Sequence, residues 1–305
     1  MKKLLITGGS GLLGQYLNLA CKEKFSIFTT FKDNLGNCSN LPSSKIDIRN
    51  DDELKIIFSK FKPEIVIHTA AITNPVPKEN QTAKDYFDTN VTATKNIAEL
   101  CKKNRAKLVY ISTDLVYAGY RGSFLKEDAK LIPATLYAET KLMGEQKVKE
   151  STDNYLILRI ALLYGIGLNH SRCHFQNMFD DLKNKKPTKL FVDQFRTPIS
   201  LNDASRIMTE LASSEVKGET INVGGLERVS RFELGDILCS LARFNKNLIQ
   251  KISSDEIPNY PKVEDVSLNI DKLQSLGIKL RTIQENILEI ISHDPAFRQA
   301  GSQIK

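Results

Sequence analysis

Lys3-Leu4-Leu5-Ile6-Thr7-Gly8-Gly9-Ser10-Gly11-Leu12-Leu13-Gly14-Gln15-Tyr16-Leu17 opens the chain and decides its architecture. The first residues are a short apolar run of strand type, and a helical spacing follows through Tyr16, Leu17 and Ala20. Glycine punctuates the junction. There it permits a sharp turn, lets the backbone approach a pyrophosphate, and lets helix and strand pack closely. The helix N-terminus adds free N–H groups and the positive end of a dipole, both favourable to phosphate. Gly8, Ser10, Gly11, Leu12, Leu13 and Gly14 are therefore the expected cofactor-binding loop for a dinucleotide. A tight turn with no ligand is the bland alternative. A P-loop is set aside because its Gly-Lys-Ser/Thr ending is missing.

Outward from this loop, β-branched runs at Lys3–Thr7, Ser26–Phe31, Ile65–Thr69, Lys107–Ile111 and Tyr155–Leu163 alternate with helical segments at about 12–24, 51–61, 82–103 and 135–150. Strands as continuously apolar as Ile65-Val66-Ile67 are buried on both faces, and the β-α-β rhythm requires a parallel sheet with right-handed crossovers. The expected fold is α/β, a Rossmann-type doubly wound parallel sheet. Past about residue 164 the rhythm weakens into polar and basic stretches before a strand-like Thr220–Val223 and Gly224-Gly225. A dinucleotide-binding domain over 1–164 is thus expected, with a smaller, loop-rich substrate-binding lobe over 165–305. Segments near 198–224 return to the first domain. The polar tail Asp294–Lys305 is expected to fray.

Composition narrows the functional classes. The 305 residues are about twice the ~150 of a typical domain, with 41% apolar and 26% charged residues, so disorder and fibrous folds are excluded. No apolar run approaches the ~18 residues needed to cross a bilayer, and Leu4-Leu5-Ile6 is too short for a signal peptide. Five Cys without a Cys-x-x-Cys pair argue against disulfides or a zinc knuckle and fit a reducing cytoplasm. The charge of +7 is scattered rather than clustered, which favours an anionic small molecule over nucleic acid. A homodimer is left open.

The second strand ends Thr30-Phe31-Lys32-Asp33, with no clear acidic residue at its tip to hold a ribose 2′-OH; Lys32 is instead suited to a 2′-phosphate. NADP(H) is accordingly favoured over NAD(H), a solvated lysine being the plain alternative. Tyr137 and Lys141, four apart on a helix, share a face, so the ammonium is expected to stabilise tyrosinate and lower a phenol pKa of ~10. Tyr137 then becomes a proton donor. Thr113, where a strand ends at the ligand edge of the sheet, supplies a hydroxyl to orient a carbonyl, and Asp114 either touches substrate or caps its loop. Arg196 is suited to a bidentate grip on a diphosphate or is an ordinary surface arginine. His170-x-x-Cys173-His174 lacks a second shell, and no metal is expected.

With these residues in order, the sequence resembles the extended short-chain dehydrogenase/reductase superfamily, and within it the dTDP-4-dehydrorhamnose reductase-like (RmlD-like) group, over about residues 2–290. Thr7 to Gly14 resembles the cofactor loop, His68 to Thr73 the fourth-strand motif, Thr89-Asn90-Val91 the asparagine segment, Ser112 to Tyr117 the group's Ser-Thr-Asp-Tyr-Val-Phe, and Tyr137 to Glu145 its Tyr-Gly-x-x-Lys-x-x-Gly-Glu. Leu158 to Gly165 and Asp193 to Pro198 continue the pattern. Departures at Ala138, Thr135, Leu115 and Asn169–Phe175 bear on the substrate. The resemblance implies cofactor contacts from Asp47, Ile48, Ala70, Ala71 and Asn90, and from Tyr137 and Lys141. It also implies hydride transfer to a 4-keto-6-deoxy nucleotide sugar, with Tyr137 as acid and Thr113 on the keto oxygen. A nucleotide-sugar epimerase or epimerase-reductase is an alternative, as is a non-catalytic regulatory subunit similar to the methionine adenosyltransferase β subunit.

Overall fold

A seven-stranded parallel sheet forms the centre of the computed structural model, which describes residues 1–75, 77–258 and 260–294. Strands β1 (Lys3–Thr7), β2 (Ser26–Phe31), β3 (Ser43–Lys45), β4 (Ile65–His68), β5 (Lys107–Thr113) and β6 (Tyr155–Ile160) come first. The short β7 (Leu163–Tyr164), β8 (Thr188–Phe191), β9 (Phe195–Arg196) and β10 (Ile199–Ser200) follow. Then β11 (Glu219–Val223) rejoins the sheet, and β12 (Val229–Ser230) and β13 (Ile249–Ile252) lie outside it. The sheet order is β11-β6-β5-β4-β1-β2-β3, so the winding reverses between β1 and β4. A doubly wound sheet opens its ligand crevice at that reversal, beyond the carboxyl ends of the strands.

Alternation along each strand builds two cores. In β1, Leu4 and Ile6 face one layer and Leu5 the other. The first layer is covered by α1 (Leu12–Cys21) and by a later helix at Leu201–Ser213; the second by α2 (Asp51–Phe61), α4 (Ala93–Asn104) and α5 (Leu136–Ser151), with the short α3 (Ala83–Phe87) beside α5. A third core, including Tyr164, Phe175, Leu190, Leu234 and Ile287, belongs to the second half of the chain. It is built by α6 (His174–Lys183), β8, α8 (Arg231–Ala242) and α10 (Ile283–His293); the helix at Leu201–Ser213 is α7, and α9 is Asp271–Ser275.

Three elements differ from the sequence-based expectation. The strand expected over Tyr155–Leu163 leaves the sheet after Ile160, because Leu163 and Tyr164 pair instead with Ile199 and Ser200. The helix expected over 82–103 is interrupted by a π turn at Asp88–Thr92, where Asn90 turns inward to bond Ile72. The edge strand β3 is three polar residues, Ser43-Ser44-Lys45, with no apolar signal to announce it. Of the tail expected to fray, 295–305 lie outside the described residues, while Asp294 accepts from Lys183 Nζ at 2.7 Å.

One buried ion pair fixes α5 to the sheet. Arg159 of β6 meets Glu145 of α5 through Nε–Oε1 at 3.0 Å and Nη2–Oε2 at 2.8 Å, both side chains 2% exposed. Ser112 donates to the same Oε1 at 2.6 Å, and Arg159 Nη1 donates to Tyr117 Oη and Glu127 O. Removing one partner leaves the other charge buried and uncompensated, which typically costs about 3–5 kcal/mol. Arg159→Leu is therefore expected to lower unfolding free energy by that amount in urea titrations, and adding Glu145→Leu should recover part of it. A double variant no more stable than the single one would contradict this account.

Candidate active site

The chain turns at Gly8 with φ of 72° directly after β1, and a Cβ there would meet Ala70 N at 2.7 Å. That close approach joins the turns after β1 and β4, the two strands at the switch point. Gly14 packs the first turn of α1 on the same loop: a Cβ would run into Gly8 O and stand 2.7 Å from Gly9 Cα. Gly11 is different. A Cβ there meets only Gly8 O, at 3.2 Å, and otherwise points into open space, and Gly11 lines the main cavity. The loop is therefore shaped to leave room outside itself, which fits a pyrophosphate lying against its backbone.

That cavity, of about 710 Å³, runs along the carboxyl ends of β2, β1, β4 and β5. Gly8, Ser10, Gly11, Leu12, Leu13, Gly14, Lys32, Asp47, Ile48, Ala70, Ala71, Thr113, Asp114, Tyr137, Lys141 and Arg196 all line it, so one cavity gathers these expected residues. Asn90 is the exception. It does not line the cavity; fully buried, it accepts from Ile72 N at 2.9 Å and donates to Ile72 O and Thr140 Oγ1, each at 3.0 Å. Asn90 thus clamps the segment after β4 onto α5, with both of its amide protons used inside the protein. His68 is likewise internal, held between Thr7 and Thr94, and burial takes its imidazole down to about 3.

The reactive groups sit where β5 ends and α5 begins. Thr135 caps α5 by accepting from Ala138 N at 3.2 Å, which puts Tyr137 in the first helical turn and Lys141 one turn later. Burial raises the Tyr137 phenol well above its usual range, the hydrogen bond with Thr113 opposes this, and the Asp114 charge adds to it. The expected lowering by Lys141 is not among these influences. Burial takes Lys141 itself down to about 7, so its charge is easily lost, and its Nζ lies 4.0 Å from the centroid of the Tyr110 ring. A cation over a ring face keeps some stabilisation without a carboxylate beside it.

At the other end of the reactive cluster, burial lifts Asp114 to about 6, opposed mainly by Arg196. Arg196 Nη1 donates to Phe195 O at 2.7 Å, and its Nε lies 3.5 Å from Asp114 Oδ2, near enough to attract but making no hydrogen bond. Sequence reasoning missed Arg231 and the cavity-facing side of His174. Arg231 opens α8 immediately after β12, whose antiparallel pairing with β9 brings it to the same wall as Arg196. It forms no ion pair among the described residues, and its charge and burial pull His174 down to about 4, burial being the larger cause. No local signal marks Arg231, because the pairing that delivers it joins residues more than thirty positions apart. Cys173 borders the cavity and donates to Gly165 O at 3.2 Å, and no group of three metal-ligating side chains is present among the described residues.

The model of the RmlD substrate binding domain matches residues 1–295. The chain belongs to this family. It is an extended short-chain dehydrogenase/reductase of the dTDP-4-dehydrorhamnose reductase-like group, as the order of its motifs implied. The RmlD-like chain is similar to the Xenopus laevis methionine adenosyltransferase 2 subunit beta, with 25% identity over 92% of this chain and 84% of that one. It is also similar to the dTDP-4-dehydrorhamnose reductase of Aggregatibacter actinomycetemcomitans, with 26% identity over 88% and 85%. Among solved structures, the dTDP-4-dehydrorhamnose reductase of Bacillus anthracis in complex with NADP superposes with a TM-score of 0.84 and 25% identity, covering 96% of this chain and 100% of that one.

The glycines of this RmlD-like loop separate fold from function. Gly14→Ala forces Gly8 and Gly9 apart and is expected to cost about 1–3 kcal/mol, whereas Gly11→Val, extended at φ −70° and ψ 171°, should stay within about 0.5 kcal/mol of wild type. Thermal unfolding of the two variants checks the contrast. Equal losses would mean that the space beside Gly11 is not open.

Proposed function

We propose that this chain is an NADP(H)-dependent oxidoreductase that reduces the C4 ketone of a 4-keto-6-deoxy nucleotide sugar, dTDP-linked. One observation carries the reading: Thr113, Tyr137 and Lys141 line the same cavity as the Gly8–Gly14 loop, together with Arg196 and Arg231. Family membership and the likeness to an NADP-bound dTDP-4-dehydrorhamnose reductase support it. Bound NADPH supplies the hydride for the carbonyl carbon. The residues of the chain handle the rest. Thr113 Oγ1 donates to the carbonyl oxygen and aligns it; Tyr137, kept protonated by burial, transfers its phenolic proton to that oxygen as the C=O π pair is displaced onto it. Lys141, one helical turn on, offsets the phenolate left behind and is suited to hold a ribose hydroxyl. Arg196 and Arg231 offer two guanidinium forks to a diphosphate.

The preference for NADP(H) rests on Lys32, whose Nζ lies 3.1 Å from Asp47 Oδ2. Arg49 shares that carboxylate through Nη2 at 2.6 Å, so a 2′-phosphate arriving here finds two cations and displaces one carboxylate contact. All five cysteines are free thiols, in keeping with a reducing cytoplasm, and no helix among the described residues is long and apolar enough to cross a membrane.

Titration with NADPH followed by its fluorescence should give at least tenfold weaker binding for Gly11→Val, since a buried phosphate contact is lost (about 1.5–3 kcal/mol). Lys32→Ala should weaken NADPH more than NADH. Equal losses would leave Lys32 without a role in the preference.

Loss of NADPH absorbance, followed against dTDP-, GDP-, UDP- and CDP-linked 4-keto-6-deoxy sugars, should be fastest with the dTDP compound and negligible with the free sugar. Tyr137→Phe should lower kcat by ~10²–10⁴ with NADPH affinity unchanged. A second reading, a regulatory subunit, is favoured by the likeness to methionine adenosyltransferase 2 subunit beta. Tight NADPH binding without turnover of any sugar would decide for it.

A further inference from the structure

Gln15 follows the glycine loop directly, in α1, and is fully buried without lining the main cavity. Its side-chain amide is bonded on both ends. Nε2 donates to Leu168 O and to Ser171 Oγ, each at 2.9 Å, and Oε1 accepts from Asn169 Nδ2 at 2.5 Å and from Asn37 N at 3.2 Å. Leu168, Asn169 and Ser171 belong to the turn between β7 and α6, in the second half of the chain. Two further bonds join the same elements: Tyr16 Oη donates to Ile166 O at 2.5 Å, and Ser171 Oγ donates to Ser10 O at 3.3 Å. Among the described residues, 166–171 reach α6 through Gly167 N on Gln176 Oε1 at 2.9 Å. The turn is thus fastened mainly to the glycine loop and α1, the elements placed for the cofactor.

Four consecutive residues then link the two halves of the cavity. Ser171 bonds the glycine loop at Ser10 O, while Cys173 and His174 line the cavity itself, and His174 is near enough to Arg231 to feel its charge. We propose that Gln15 is a positioning residue for the nucleotide-sugar half of the cavity: by holding Leu168, Asn169 and Ser171 it sets where Cys173 and His174 stand beside Arg231. The inference rests on the nucleotide-sugar reading above and deepens it. The glycine loop does not need this amide, because its own backbone closes it, Gly11 N on Gly8 O at 2.9 Å and Gln15 N on Gly11 O at 3.0 Å. Asn37 likewise keeps two other bonds, donating to Gln15 O and accepting from Asn18 Nδ2, each at 2.8 Å. The turn at 166–171 has no comparable reserve. Once the amide is gone, buried groups such as Leu168 O lose their partner, and a ligand that needs this wall must order it on binding, at the expense of affinity. A side chain inside the cofactor motif therefore governs the other ligand.

The test measures two affinities of the full-length protein by calorimetry: NADP+ alone, and dTDP with NADP+ saturating. Whichever of GDP, UDP and CDP binds takes the place of dTDP if that nucleotide does not. In Gln15→Met, which keeps a side chain of similar length and loses the amide, dTDP should bind at least about tenfold more weakly, with NADP+ within about twofold of wild type. Ser171→Ala alone should weaken dTDP at least about threefold. Added to Gln15→Met, it should cost less than about twofold more, because residues acting through one network are not additive. Should Gln15→Met not fold, Ser171→Ala carries the same contrast between the two ligands. Equal losses of both ligands, a loss confined to NADP+, unchanged dTDP affinity, or additive effects in the double variant would overturn the assignment while leaving the nucleotide-sugar reading intact. Wild type that binds none of the four nucleotides would overturn both.

Discussion

The Glu145–Arg159 pair is the constraint on which the site geometry depends. It joins the middle of α5 to the end of β6, and Ser112 draws the end of β5 into the same network. Tyr137 and Lys141 lie on the helix that this pair anchors; Thr113 follows Ser112 directly. The reacting groups are thus held from behind, by charges that never reach the cavity. Asn90 does similar work one layer away, tying the Ile72 segment to Thr140 of α5. Two networks fixing one helix explain how Thr113 and Tyr137, twenty-four residues apart in sequence, come to line one cavity.

Electrostatic strain is concentrated in the cavity. Arg196 and Arg231 face the same space, burial disfavours the charge of both, Arg196 further disfavours that of Arg231, and Asp114 is the carboxylate that pairs with Arg196. Lys141 is buried with little to hold its proton beyond Glu145, and Tyr137 is buried with its proton firmly attached. None of this stabilises the fold. Several charged groups with perturbed protonation gathered in one cavity are the expected signature of a functional site. The cluster is also ordered: Lys32 lies at the β2 end, and Thr113 and Asp114 at the β5 end with the Arg196 guanidinium beside Asp114.

The sequence by itself determined the sheet, the glycine loop and the shared face of Tyr137 and Lys141 on α5. Each is a local pattern: β1 is apolar on both faces because helices cover both, Gly8 and Gly14 are required by contacts within a dozen residues or across adjacent turns, and Tyr137 and Lys141 share a face because a helix repeats every 3.6 residues. What the tertiary structure decided is long-range. Arg231 reaches the cavity through the β9–β12 pairing, and Asn90 turns away from it because a π turn aims its amide at Ile72. The state of Tyr137 was decided there too, since burial, which no spacing of residues reveals, outweighs the charge four positions along the helix. Periodicity records which way a side chain faces, but desolvation and pairing depend on what the remainder of the chain packs against it.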